Sequence, residues 1–166
     1  MNAQPENLSK LDDFFPEDQL EWRIQQAKLD FEGKPKAKVL CYVTNRAIQN
    51  RLDEVCGKEH WRNEFKEAPN GGVMCGISIR YQDEWVTKWD GADNTKLEAV
   101  KGGLSDSMKR AAVQWGIGRY LYDFGDNYAI FHPNGIYFTK IKDAAGKETW
   151  HKWNPPKVSS QFLPKS

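Results

Sequence analysis

Between residues 97 and 115 apolar side chains recur at Leu97, Val100, Leu104, Met108, Ala111 and Trp115, spaced three, four, four, three and four apart. At about 100° per residue this set closes into one stripe about 80° wide, the mark of an α-helix packed along one side. The helix is expected over residues 94–122. Such a stripe needs an apolar partner, and the preceding segment supplies one. Val73, Cys75, Ile77, Ile79 and Tyr81 alternate with Met74, Gly76, Ser78 and Arg80, the two-residue period of a strand with one packed face. Gln82-Asp83-Glu84 can return the chain into Trp85–Asp90 as a hairpin, although the Asn-Gly turn signal is absent. Gly91–Thr95 reads as a loop.

The remaining elements are read outward from this pair. Pro16, with Glu17 and Asp18 at the positive end, and Leu20, Ile24, Ala27 and Phe31 at spacings of four, three and four predict a first helix stopped by Gly33 and Pro35. Val39–Val43 predicts a strand within 36–44. Thr44 or Asn45 caps a second helix with Ile48, Leu52 and Val55 buried, ending near Gly57. Residues 124–135 read as irregular. Ile136–Lys142 and Glu148–Trp153 flank a second turn, and Pro155-Pro156 releases a tail over 155–166. Residues 1–13 are polar and acidic and are expected to be a disordered arm.

Charge narrows the function classes. The formal net charge is +1, but residues 1–30 hold seven acids and three bases, so a mildly basic body follows an acidic arm. Any affinity for anions must come from local clustering. Cys41, Cys56 and Cys75 are odd in number and unpaired in spacing, and His60, His132 and His151 lack H-x-x-x-H spacing, so buried thiols and no metal or cofactor are expected. A polar start and the lack of a long apolar run lead us to expect no membrane association and a cytoplasmic, reduced protein. Most of the aromatic residues, Trp85, Trp89 and Trp115 among them, are expected in the core. Trp61, just past a helix end, is the best candidate for an exposed ring, with packing still favoured.

The basic residues of the long helix pose the functional question. Lys101, Lys109 and Arg110 lie off the apolar stripe, and Lys109 and Arg110, as neighbours, point about 100° apart. Two roles compete. Either they form a solvated face partnered by Asp106 and Glu98, or the helix lines a groove in which they, with Arg46, Arg51 and Arg119, meet a polyanion. Gly102-Gly103 costs a helix about 1 kcal/mol per glycine, which calls for a close approach or a kink. Neither a dinucleotide-binding glycine fingerprint nor a phosphate loop is present. Two other classes stay open. Asp83, Glu84, Asp90 and Asp93, with Lys88, could build the magnesium site of a metal-dependent nuclease. Ser105–Leu121, with Gly116 in the turn, could form a helix-turn-helix regulator.

The segments KGGLSDSMKRAAVQWGIGRYLYDF, VLCYVTNRAIQNRLDEVCGKEHW and GVMCGISIRYQDEWVTKWDGADN together resemble the Rad-fifty-two/Rad-twenty-two superfamily of single-strand annealing proteins, most closely its phage and prophage branch. The match covers roughly residues 16–125; the D-x-x-K-R-A helix and the upstream N-R-A-I segment carry it. The resemblance implies an α+β fold in which an antiparallel, hairpin-rich sheet packs against a long groove-lining helix, in a ring-forming annealing protein. It implies a core domain over 14–125, with 126–154 a β-hairpin extension of the same domain. Single-stranded DNA would lie in a basic groove, bound by Arg46, Lys109, Arg110 and Lys101, and would be annealed in recombination and repair without ATP or any catalytic residue. The homo-oligomer and single-stranded DNA are the implied partners; a single-strand-binding protein or an exonuclease is a further one, and the setting is a bacterial host cell. Eukaryotic members carry another arginine three residues beyond the pair, where this chain has Val113.

Overall fold

The protein was analysed as a computed structural model that describes residues 4–69, 71–92 and 99–165, with side chains in the last segment from Gly103 onward. The chain runs β1 (Leu20–Leu29), β2 (Pro35–Val43), α1 (Asn45–Cys56), β3 (Trp61–Glu67), β4 (Val73–Tyr81), β5 (Glu84–Ala92), α2 (Ala99–Gln114), β6 (Asn127–Tyr128), β7 (Ile130–Phe131), β8 (Tyr137–Lys142) and β9 (Glu148–Asn154). The strands form three antiparallel sheets of three, in the orders β1-β2-β6, β3-β4-β5 and β7-β9-β8. The architecture is therefore α+β, as expected.

The hairpin read from alternation is present. β4 pairs with β5 from Val73↔Ala92 to Tyr81↔Glu84, and Gln82 and Asp83 at the turn both take positive φ, +51° and +65°. That left-handed pair matches the twist of the flanking strands. Cys75, Ile77 and Ile79, all fully buried, form the packed face of β4. Met108, Ala111 and Ala112 of α2 close over it, and the Trp115 indole N–H donates to the Ile77 carbonyl at 2.9 Å. β3, not foreseen, extends the sheet through Trp61↔Ile79 to Glu67↔Val73. Trp61 is half-buried, its indole N–H donating to Asp53 at 2.7 Å. Trp85, expected in the core, is 36 % exposed on the outer face, beneath the Arg62 guanidinium.

Two helix readings are corrected. Residues 20–29 form β1, not a helix. Leu20, Trp22 and Ile24 alternate inward, and a bulge between Ile24 and Gln26 inserts one residue, which brings Ala27 and Leu29 to the same face. The resulting four-then-three spacing imitates a helical stripe. Phe31 is not part of any stripe; it sits fully exposed at the β1–β2 turn. The second correction shortens the long helix. α2 ends at Gln114, because Gly116 and Gly118 adopt φ of +95° and +74°, and residues 119–124 continue as 3-10 turns. At φ +95° Gly116 holds a left-handed conformation that strains any residue with a Cβ, and the Asp12 carboxylate lies against it. Gly102-Gly103 lies inside α2, with Gly103 buried; Leu97 and residues 94–98, including Glu98, fall outside the described residues, as does Asp93.

α1 follows its reading closely. The Thr44 hydroxyl accepts from the Ala47 N–H at 3.2 Å, Ala47, Ile48, Leu52 and Cys56 are buried, and Gly57 ends the helix at φ +87°. Residues 4–13 do not behave as a disordered arm. Leu11 is fully buried, and Gln4 clips onto the β4–β5 turn through two hydrogen bonds with Asp83. The 155–166 segment, expected to leave the body, packs back as well: Val158 is buried, and the Phe162 ring sits 4.8 Å from Phe124 and 6.2 Å from Phe14. Apolar residues within two polar segments account for both outcomes, since one fully buried Leu or Phe contributes about 1.5–3 kcal/mol.

Candidate nucleic-acid interface

α2 is held between two sheets. Its apolar face lies on β4 and β5, while its other flank approaches β1 and β2. Lys109 and Arg110 leave the helix toward these two different sides, as their neighbouring positions require. Lys109 is only 8 % exposed; its ammonium pairs with Glu21 of β1 and lies 5.6 Å from the centre of the Tyr42 ring of β2. Arg23 of β1 completes this cluster, 2.9 Å from Asp106, 3.3 Å from Glu21 and 5.3 Å from the Tyr42 ring centre. Burial would loosen the Arg23 proton, but Asp106 and Glu21 outweigh it and the guanidinium holds its charge more firmly than usual. Burial also pushes the Tyr42 hydroxyl up, so the ring stays neutral between its cations.

Arg110 turns the other way. Its Nε donates to Asp90 of β5 at 3.1 Å, and Gln114 donates to the other oxygen of the same carboxylate at 3.1 Å. Burial raises the Asp90 carboxyl, yet the hydrogen bonds from Gln114, the Gly91 N–H and Arg110 overcome that and hold it below the usual carboxylate range. Half of the Arg110 side chain remains exposed (53 %), so its terminal N–H groups face solvent.

α1 reaches the same flank through its first turn. Asn45 donates to the Ser105 hydroxyl at 3.2 Å, one helical turn before Lys109, and Arg46 follows it in sequence. Arg46 is exposed, and among the described residues no acid pairs with it. Beside this seam a cavity of about 250 Å³ opens between β2, α2 and the 117–125 segment. Asp106, Lys109 and Arg110 form its charged edge, with Val39, Val113 and Leu121 among its apolar walls. Val113, the point of departure from the eukaryotic pattern, thus faces an apolar cavity.

Of the sequence-derived site residues, Lys109 and Arg110 border one cavity, and Arg46 stands exposed on the first turn of α1, next to the Asn45 that bonds to α2. Lys101 lies in α2 two turns before Lys109, and its side chain is outside the described residues. Arg51 is placed elsewhere. Its guanidinium lies 3.8 Å from the Phe15 ring centre and donates to the carbonyls of Lys10, Leu11, Asp13 and Phe14, tying residues 10–15 to α1. Arg119 caps α2, donating to the Val113 and Gln114 carbonyls at 2.8–3.1 Å. The solvated-face alternative is corrected in detail: Asp106 serves Arg23, and the pair is served by Glu21 and Asp90. Arg23 and Glu21 were missed because β1 read as a helix, and Tyr42, on a strand read correctly, because its cation partners lie on β1 and α2; the L-x-W-x-I alternation of 20–24 was the signal available.

The described residues do not assemble the rival sites, and Asp93 lies outside them. Asp83 and Glu84 stand at the turn, whereas Asp90 lies six residues further along β5, about 20 Å away at strand rise. Among the described residues no three His, Cys, Asp or Glu side chains gather for a metal. The segment read as helix-turn-helix has no second α-helix, only 3-10 turns over 119–124. The thiols are unsuited to nucleophilic work: burial pushes Cys41 up to about 12, Cys75 to about 12 and Cys56 to about 11, with Glu21 and Glu17 adding to the effect at Cys41. No described helix is long and apolar enough to cross a membrane.

Comparison with known proteins finds curated relatives and a matching family model. The single-stranded DNA-binding protein DdrA of Deinococcus radiodurans is 38 % identical over 117 residues, covering 69 % of this chain and 54 % of the relative. Its namesake in Deinococcus deserti is 34 % identical over 120 residues, covering 71 % of this chain and 57 % of the relative. The chain therefore spans a little over half the length of these curated relatives. The family model described as Rad52/22 family double-strand break repair protein matches residues 5–74 and 73–131, which include β1 to β7, both helices and every residue of the seam. The chain belongs to the Rad52/22 family of double-strand break repair proteins.

Proposed function

We propose that this protein binds single-stranded DNA along the α1–α2 seam and anneals complementary strands during recombination and repair, without ATP or a catalytic residue, as an oligomeric ring. The observation that carries the reading is that two guanidiniums, Arg46 on the first turn of α1 and Arg110 on α2, stand exposed on helices joined by the Asn45–Ser105 bond. Both can fork onto phosphate oxygens, and each neutralised phosphate releases counterions irrespective of base sequence. Lys109 stands behind them with its charge held by Glu21, fixing α2 against β1. Lys101 extends the track along α2.

Repeating one modest basic seam around a ring gives a continuous polyanion track, which explains how a chain of formal charge +1 can hold a long strand. Annealing then follows from keeping two strands extended and close. The N-R-A-I and K-R-A segments associate the chain, on this reading, with the phage and prophage branch of its family.

The test is to mix the protein with two complementary oligonucleotides in a chelator without ATP, follow duplex formation, and size the protein by light scattering. Faster annealing by an oligomer is the expected result. A monomer that neither shifts single-stranded DNA nor speeds annealing would overturn the reading, and cutting that appears only with magnesium would replace it with a nuclease.

A further inference from the structure

The third sheet lies almost wholly beyond the residues matched by the family model, which stop at 131. Its β8–β9 register pairs Phe138 with Lys152, Lys140 with Trp150 and Lys142 with Glu148, and all six side chains are exposed. They share one face, since Ile141 and Trp153 of the opposite parity are buried. Phe138 is 64 % and Trp150 67 % exposed, with ring centres 6.5 Å apart and edge to face. Lys140 lies 5.0 Å from the Trp150 ring centre and Lys152 5.8 Å from that of Phe138. Tryptophan is seldom left two-thirds exposed, and aromatic rings interleaved with lysines on a flat sheet are not explained by packing.

We infer that this hairpin face is a second single-stranded DNA contact, on which Phe138 and Trp150 each stack a base while Lys140, Lys142 and Lys152 engage the adjoining phosphates. Charge selects the occupant: three lysines against one glutamate favour a polyanion over an apolar partner surface. Exposure selects the strand state, because a base already unstacked can displace the flexible lysine from over each two-thirds-exposed ring, whereas paired bases inside a duplex would not reach it. The role is sequence-tolerant, since every base has a face to stack. Such a platform, separate from the α1–α2 seam, gives one subunit two points of hold on single-stranded DNA. The inference shares the single-stranded ligand with the function proposed above but uses none of its residues.

The full chain would be photo-crosslinked to an iodouracil-substituted oligothymidylate and the adducts mapped by mass spectrometry, with affinities measured in parallel. Crosslinks within residues 137–153 are expected, both in the wild type and in Arg46→Ala/Arg110→Ala. Phe138→Ala/Trp150→Ala should bind single strands about tenfold or more weakly with an unchanged far-ultraviolet circular dichroism spectrum, and Phe138→Tyr/Trp150→Phe should restore binding. Duplex competitor of the same length should not displace the hairpin crosslinks. Unchanged affinity in the alanine double variant, or no adduct in the hairpin, overturns the inference while leaving the seam standing. A loss of affinity that tracks a fall in subunit number also overturns it and makes the face a contact between copies. Loss in the hairpin variant with none in the seam variant supports the platform and rejects the seam.

Discussion

The seam and the hairpin face both carry basic residues beside aromatic rings, but they hold their charges differently. At the seam, Lys109 is buried against Glu21, and Arg23 is committed to Asp106 and Glu21, so two of the cations knit α2 to β1 and β2. Among the described side chains of the seam, Arg110 and Arg46 present free donors. On the hairpin, Lys140 is the single lysine of the face with an acid partner, Glu148 at 3.2 Å, and both rings stand in solvent. A basic residue in a family motif is therefore not by itself a ligand contact. The acids around it decide how much of its charge is left to bind with.

The comparison is broken most forcefully at Lys109. Lys109→Ala should lower stability by about 2 kcal/mol in denaturant unfolding, because the half-buried Glu21 is left with Arg23 alone and the buried lysine stem leaves a gap beside Tyr42. A variant as stable as the wild type would mean that Lys109 is a surface charge after all. Arg51→Ala comes next. It frees four carbonyls and the Phe15 ring, and should cost about 1–2 kcal/mol and expose residues 4–15 to protease while single-strand affinity stays unchanged. Loss of DNA binding without loss of stability would return Arg51 to the site.

Smaller effects sharpen the contrast. Arg110→Ala should weaken single-strand binding by about tenfold with stability altered by less than about 1 kcal/mol, the reverse of the Lys109 pattern. Asp90→Asn should strengthen binding a fewfold by releasing Arg110. The Asp90 carboxyl is held below the usual range, so its stabilising contribution is complete above the ordinary carboxylate pKa and vanishes as pH falls through its folded value. Unfolding curves of wild type and Asp90→Asn should accordingly converge in acid and separate toward neutrality. Curves that stay parallel would show that the Arg110–Asp90 pair does not hold α2 to β5.

The seam was legible in part because it is built from local patterns. The alternation of 73–81 and the capped stripe of 44–57 are complete within their own segments, and Lys109 and Arg110 were correctly separated by one helical position. Most of what escaped depends on partners distant in sequence. The bulge in β1 turned an alternating strand into an apparent helix, hiding Arg23 and Glu21, and whether Lys109 is buried depends on that strand. Gly116 and Gly118 end α2 through their left-handed backbone, and the apolar stripe running on to Trp115 hid that stop. The acidic character of residues 1–13 masked Leu11, whose burial fastens the segment. Similarly, the hairpin was read as a hairpin, but its function depends on which of its two faces is covered.

The central claim is that Arg46 and Arg110, and not the buried cations behind them, read the phosphate backbone. It is tested most directly by the salt dependence of oligothymidylate binding for the wild type and Arg46→Ala/Arg110→Ala. Each lost phosphate contact removes about 0.7 from the slope of log affinity against log salt concentration, so the double variant should be shallower by about 1.4 while remaining folded. An unchanged slope would contradict the account and move the phosphate contacts away from the α1–α2 seam.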